Sequence, residues 1–458
     1  MKAARTFSKN DVVASYVKQF ESLAPGSDPV WLREMRREAI YRFAELGLPS
    51  ARQEDWRQTR LSSLTKEPFV VASDGVCPGE VTGKRALDPG THREIEIVFV
   101  NGKYSPARSS FANRNGLSVR SMSDAIRSGD ERVRGYLERT RGRALSPQPF
   151  LALNSAFFQD GTCVFVEEGV KAGCVVYVTY LTLDDDSQPQ TPAPASARFI
   201  RNLIAAGPDS AVSVIERFET RGEARRLPGF LSTVSEIFVG DRARVDHYEL
   251  QGNGGSDHVG LIRAELGVKS QVSSHSVSVP GPFVRLVRKD IEVVMKGEEG
   301  ECRLSGIYAG RGDGQQVFRT LIDHAKPSGK SVQLYRGILD GAAHGVFSGK
   351  VIVEPDAQNT DAKQVNQNLL LSDEATAHTT PRLEIRADDV KCSHGATVGQ
   401  LDEEAVFYLR SRGVGEELAK KMLTEAFAAQ VLDEFGNETA RREALQLFED
   451  WLRGKEAA

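Results

Sequence analysis

From Leu151 to Leu401 the chain is a succession of short strand-like runs punctuated by glycine, and this texture limits the fold more than any other feature. Cys163-Val164-Phe165-Val166 and Cys174-Val175-Val176-Tyr177-Val178 are two such runs, separated by Glu167-Glu168-Gly169-Val170-Lys171-Ala172-Gly173. That gap is too long for a two-residue hairpin and holds no helix, as where a chain turns a corner between the sheets of a solenoid. No strict short repeat accompanies it. The expectation is a mainly β protein with an irregular parallel β-helix over 151–401, and a β-sandwich is the alternative. Leu369-Leu370-Leu371 fits a strand buried on more than one side, and Asn366 and Asn368 are expected to stack on neighbouring coils as amide ladders do.

The flanks read differently. Residues 1–150 form a mixed, mainly helical domain. Within it Trp31, Met35, Ala39 and Phe43 fall at fourfold spacing, and Gly47 with Pro49 supplies the stop signal. Ile95 to Gly102 is a strand running into an Asn-Gly turn, so a small sheet is expected beside the helices. Residues 402–458 are helical again. Leu423, Phe427, Val431 and Phe435 make one ridge, and Leu418, Met422, Ala426 and Ala429 an adjacent one, so the apolar surface is wider than a single docking stripe requires. One ridge can pack on its own domain while the other is left for a partner. A last helix, 438–452, buries Ala444, Phe448 and Trp451 or Leu452, with Asn437 as its N-cap. The Asp- and Pro-rich stretch 184–196 has nothing to bury and is expected to be a solvated excursion between coils, to which no function is assigned.

With 458 residues the chain is long enough for about three domains. A net charge of -4 gives no pull toward nucleic acid or anionic lipid. Five cysteines, Cys77, Cys163, Cys174, Cys302 and Cys392, contain no C-x-x-C pair, which fits a reducing compartment. No apolar run is long enough to span a bilayer, and the N-terminus lacks the apolar core of a secretory signal, so a cytoplasmic protein without a membrane partner is expected.

Lys391 to Gln400, KCSHGATVGQ, holds the candidate site. The preceding Leu383-Glu384-Ile385-Arg386 alternates as a strand does. If the strand continues, Cys392 and His394 leave the backbone on one face. Thiolate and imidazole both suit iron-sulfur clusters and zinc, but two ligands fall short of the usual four, so a partner would supply the rest. A buried Cys beside a hydrogen-bonded His is the plainer reading of the spacing alone.

The longer run Pro381 to Gly413, PRLEIRADDVKCSHGATVGQLDEEAVFYLRSRG, closely resembles the C-terminal signature on the SufD side of the SufB/SufD family, scaffolds of the SUF iron-sulfur cluster assembly system. The likeness extends upstream through Gly345 to Val353, Asp356 to Ala362 and Asn368 to Ser372. Glu54 to Thr59 is similar to a segment of the family's N-terminal region, with Gln58 where an aromatic is usual. The SufB branch reads differently across Cys392 to Gln400.

The resemblance implies a right-handed parallel β-helix core and a scaffold subunit with no catalytic residues of its own. It implies a SufB-like β-helix partner and a SufC-like ABC ATPase held by the C-terminal helices. Leu418, Met422, Leu423, Phe427 and Val431 are the candidate contacts for that ATPase. It also implies a transient iron-sulfur cluster at the interface with SufB, with His394 as this chain's ligand and Cys392 as the secondary candidate. Cluster type, flavin binding and formation of a homodimer by the chain alone stay open. Two other readings compete: a β-helix enzyme acting on polysaccharide, since fold does not settle function, and a purely structural subunit whose Cys392 and His394 are inert.

Several motifs resemble sites without being them. His324 to Ser331, HAKPSGKS, almost spells a phosphate-binding loop, but its first glycine is His324, Pro327 sits inside it, and strand rather than helix follows. Gly310-Arg311-Gly312-Asp313-Gly314 lacks dinucleotide spacing and reads as a turn. His247 shares strand parity with Ala243 and Val245, as a satisfied core imidazole would. His324 and His344 are expected to bond a neighbouring coil's backbone as readily as a metal. Cys302 reads as a small buried residue, and no G-x-S-x-G elbow occurs. The isolated chain is therefore expected neither to bind nor to hydrolyse ATP. Titration with labelled ATP checks this, and an affinity that disappears in Lys330→Ala would overturn it.

Overall fold

The computed structural model describes residues 8–23, 28–65, 68–72, 95–110, 114, 116–140, 148–183, 195–221, 229–252 and 254–454. From Thr162 onward successive strands alternate between two sheets, and each strand pairs in parallel with those one coil before and after it. The first sheet stacks Thr162–Val166, Ser196–Ala206, Gly229–Val239, Asp257–Leu266, Leu286–Met295, Gln315–His324, His344–Val353 and Thr376–Ile385. The second stacks Lys171–Thr182, Ala211–Thr220, Arg244–Gln251, Gln271–Ser278, Glu301–Gly310, Lys330–Leu339, Thr360–Leu370 and Val390–Gly399. The result is a mainly β chain with a parallel β-solenoid of about seven turns and helices at both ends, as expected.

Six successive coils turn one corner through a non-glycine residue in the left-handed region: Asp209, Arg242, Lys269, Glu299, Ser328 and Asn359 all have φ between 54° and 60°. Their amides bond the next corner, as in Arg242 N to Val268 O and Lys269 N to Glu298 O, both 2.8 Å. Stacked backbone bonds thus hold a conformation that non-glycine residues rarely adopt. The phosphate-loop look-alike is one of these corners, running from the strand end at His324 through Ser328 to the strand start at Lys330, with no helix to present amides.

Inside the solenoid, isoleucine, valine and aromatic side chains form the core, among them Ile97, Ile204, Val214, Ile237 and Phe318. Several polar groups in the lumen are paired, as burial favours. His247 is fully buried between Ser274 Oγ at 3.0 Å and Glu216 Oε1 at 3.1 Å, the satisfied imidazole that its parity implies. Lys289 meets Glu249 and lies 3.0 Å from His258. Asn366 and Asn368 do not form an amide ladder. Their register neighbours are Tyr335 and Gly337 on one side and Ala396 and Val398 on the other. The two amides instead bond each other at 2.8 Å, and both reach Tyr308 Oη two coils away. Gly337 leaves the room for this, because a Cβ there would sit 2.3 Å from Asn368 Oδ1.

Both outer faces are covered for most of their length. The helices Lys9–Ser22, Val30–Leu46 and Pro149–Phe157 close over the first sheet with Leu32, Met35, Phe43, Leu153 and Phe157. Trp31 and Ala39 lie at the margin of that contact rather than within it, since Leu32 and Ile40 take the buried stripe. Arg288 stacks 3.5 Å over buried Trp56 and donates to Asp55 O at 2.9 Å, seating the 54–59 segment on the solenoid. The expected separate small sheet is absent from the described residues. Ile95–Val100 pairs in parallel with the first strand of the second sheet, and Leu117–Ser121 pairs antiparallel with Thr162–Val166, so both extend the solenoid. Most of the 184–196 excursion, and Cys77, lie outside the described residues. The helices Glu416–Leu432 and Glu438–Arg453 cover the second sheet. Asn437 caps the latter by accepting from Ala440 N at 3.0 Å, and both Trp451 and Leu452 are buried.

Burial depresses several histidines. His275 falls to about 3, with Arg303 adding to the effect, and His324 to about 4; His258 falls well below its ordinary value through burial and then Lys289. These rings stay neutral in the native state but take up protons on unfolding below about pH 6.5. Stability is therefore full above that value and falls with acidity, each histidine contributing about 1.4 kcal/mol per pH unit. Thermal unfolding should show a clear fall in midpoint between pH 7.5 and pH 5.5, and an unchanged midpoint would contradict this.

Candidate functional site

Val390–Gly399 is the last strand of the second sheet, and Thr376–Ile385 the last of the first. Each is paired on one edge only. Their side chains are exposed or partly exposed on both faces, unlike every earlier coil. Cys392 and His394 share a face, as alternation requires, and Cys392 packs at the rim of an inner cluster of Val351, Val353, Ala357 and Ala362. That face is the lumen's, so both residues stand at the open mouth of the solenoid. His394 is exposed, whereas Cys392 is half-buried. Burial pushes the Cys392 thiol up from its ordinary value, partly countered by a hydrogen bond involving the Ala362 backbone. A proton is thus harder to remove there.

Among the described residues no three His, Cys, Asp or Glu side chains gather as a metal site. Gly395, next to His394, relieves no crowding, because a Cβ there would meet nothing within 4 Å.

One feature of the mouth was not read from the sequence. Gln364 lies in register with His394 on one side and Gln333 on the other. Gln364 is fully buried, and neither its Oε1 nor its Nε2 has a partner among the described residues. Each such atom costs about 1–3 kcal/mol. The signal was available: Ala362, Gln364, Asn366 and Asn368 alternate, and 30 residues, one coil, separate Gln364 from His394.

The other titratable candidates are structural. His324 bonds Ser331 Oγ at 2.9 Å and His344 bonds Thr376 Oγ1 at 2.7 Å, so the partners are side chains rather than the expected backbone. Cys302 is buried and its thiol is raised far out of the reactive range by desolvation.

The C-terminal helices divide their two ridges. Val431 and Phe435 are buried on the solenoid, and Leu423 and Phe427 are partly covered, with Arg336 stacked 4.4 Å over the Phe427 ring. Val431 is therefore withdrawn from any partner by its own sheet. Leu418 and Met422 are 54% and 42% exposed, and on Glu403–Ser411 so are Phe407 and Tyr408, at 70% and 57%. This exposed aromatic pair is not part of either ridge marked by fourfold spacing.

Comparison with known proteins bears on all of these parts. The family model described as SUF system FeS cluster assembly, SufBD core domain, matches residues 189–427, and that of the SufBD protein N-terminal region matches residues 8–178. An iron-sulfur cluster assembly SufBD family protein of Synechocystis is 30% identical over 433 residues, covering 90% of each chain. The iron-sulfur cluster assembly protein SufD of Escherichia coli is 28% identical over 407 residues, 89% of this chain and 90% of that one. SufD of Bacillus subtilis is 23% identical over 450 residues, 96% and 98% of the two chains.

The division of ridges predicts opposite outcomes for two substitutions on one helix. Met422→Asp should leave the thermal midpoint near wild type, while Val431→Asp forfeits about 1.5–3 kcal/mol of burial and adds the cost of a buried carboxylate. Equal midpoints would contradict the helix's docking.

Proposed function

The chain belongs to the SufB/SufD family, and we propose from that premise that it is a SufD-type scaffold subunit for iron-sulfur cluster assembly, without turnover of its own. The observation that carries this reading is the open terminal coil, where His394 stands exposed and no group of three potential metal ligands gathers among the described residues. A SufB-like β-helix subunit meets that coil, adding to its free strand edges and supplying the other ligands. An edge of two sheets at once fixes the partner's register, so the cluster is assembled only in the pair.

The cluster is cargo here, and the ligand set suits its release. Thiolates are the usual ligands of such clusters, and a neutral imidazole withholds their negative charge. This chain then holds iron through one uncharged group. A SufC-like ATPase docks on Leu418 and Met422 with Phe407 and Tyr408, on the helices that end the solenoid. Movement of the ATPase is thereby transmitted to the coil at which the two scaffolds meet.

His394→Ala in the full complex should leave folding and subunit association intact while cluster formation falls roughly tenfold or more, the range reached even by loss of groups that only support a ligand. Cys392→Ser should do less. Cluster formation is followed by visible absorption during reconstitution with ferrous iron and sulfide. A normal rate in His394→Ala, with the complex intact, would remove His394 from the site.

A further inference from the structure

Gln364 is buried, in register with His394 and unpartnered, and the fold has made room for it. Gly349, on the opposite sheet, would place a Cβ 2.0 Å from Gln364 Nε2. Any other residue at 349 would drive the amide out. Gln333, one coil deeper, makes no bond to it; its Oε1 accepts from Thr320 Oγ1 at 2.6 Å. Both Oε1 and Nε2 are without a partner among the described residues, so Oε1 is available to accept.

A histidine that binds metal through one ring nitrogen ordinarily donates the other N–H to an acceptor, which fixes its tautomer and orientation. On its own strand's inner face His394 has only a thiol and a methyl group for neighbours, those of Cys392 and Ala396. Register partners on adjacent strands lie about 4.8 Å apart with side chains on the same face, which is within reach for a glutamine and an imidazole. We propose that Gln364 is a positioning residue for His394: its Oε1 accepts the ring N–H when the imidazole turns into the mouth, leaving the other nitrogen to meet iron. This rests on the reading of His394 as a cluster ligand. A neutral amide, unlike a carboxylate, orients the ring without adding negative charge to a site that must release its cargo.

The test uses the full complex labelled with ¹⁵N-histidine and carrying Gln364→Leu, Gln364→Glu or His394→Ala. Reconstitution with ferrous iron and sulfide gives the rate, and pulsed EPR of the reduced cluster gives the nitrogen hyperfine coupling of bound imidazole. Gln364→Leu should fold and assemble normally, form clusters roughly tenfold more slowly, and show a weakened or lost imidazole coupling. Gln364→Glu, which retains an acceptor, should keep the coupling. If His394→Ala is impaired but Gln364→Leu matches wild type in rate and coupling, this inference fails and the cluster-site reading stands. If His394→Ala is itself normal, both fail. Should Gln364→Leu not fold, the glutamate variant decides, a retained coupling supporting the proposal and a lost one overturning it.

Discussion

A parallel stack of coils satisfies its backbone only through the coil before and the coil after, and everything specific to this protein follows from how the two ends of the stack are treated. At the N-terminal end, antiparallel additions by Lys103–Tyr104 and Leu117–Ser121 end the sheets within the chain's own fold. The C-terminal end has no such closure among the described residues. After Gly399 the chain leaves the stack and runs back along the outer face of the second sheet, where Phe435, Phe448 and Trp451 are buried. The last coil is left with two free edges and an uncovered lumen, a surface that sheet proteins otherwise protect.

That termination also sets the chemistry of the mouth. In the early coils the lumen is aliphatic and aromatic, and its charges are matched within the chain, as with Glu216, His247 and Ser274. Toward the end the amides of Gln333, Gln364, Asn366 and Asn368 join the rings of Phe318, Tyr335 and Phe347 inside, and of the four only the asparagines find full partners. His394 stands on the next coil, and the helix that carries Leu418 and Met422 grips the same coils through Arg336, which donates to Phe427 O and to Gln430 Oε1. A load applied to those helices reaches the solenoid a few strands from the mouth.

Much of this was legible in the sequence because it depends on local signals. Glycine-stopped strand runs gave the solenoid, fourfold spacing gave the two helical ridges, and parity alone placed His247 in the core and Cys392 beside His394. What escaped depends on register. No short repeat is visible because coils differ in length: Leu286, Gln315 and His344 pair at intervals of 29 residues, whereas Lys330 pairs with Asp361 after 31. Without the register, Asn366 and Asn368 could be matched to a ladder that does not exist, Ile95–Val100 to a separate sheet, and Gln364 to nothing. The sharing of the helix surface was also hidden, since pattern cannot say which of two apolar ridges the sheet will take.

The central claim is that the terminal coil is an interface held open for a second β-helix. Hydrogen exchange at the amides of Thr376–Ile385 and Val390–Gly399, measured on the chain alone and in the assembled complex, tests it most directly. Alone, the amides on the free edges should exchange quickly while those paired to His344–Val353 and Thr360–Leu370 stay protected. In the complex the free-edge amides should become protected as well. Exchange at these edges that is unchanged by the SufB-like subunit would contradict the account.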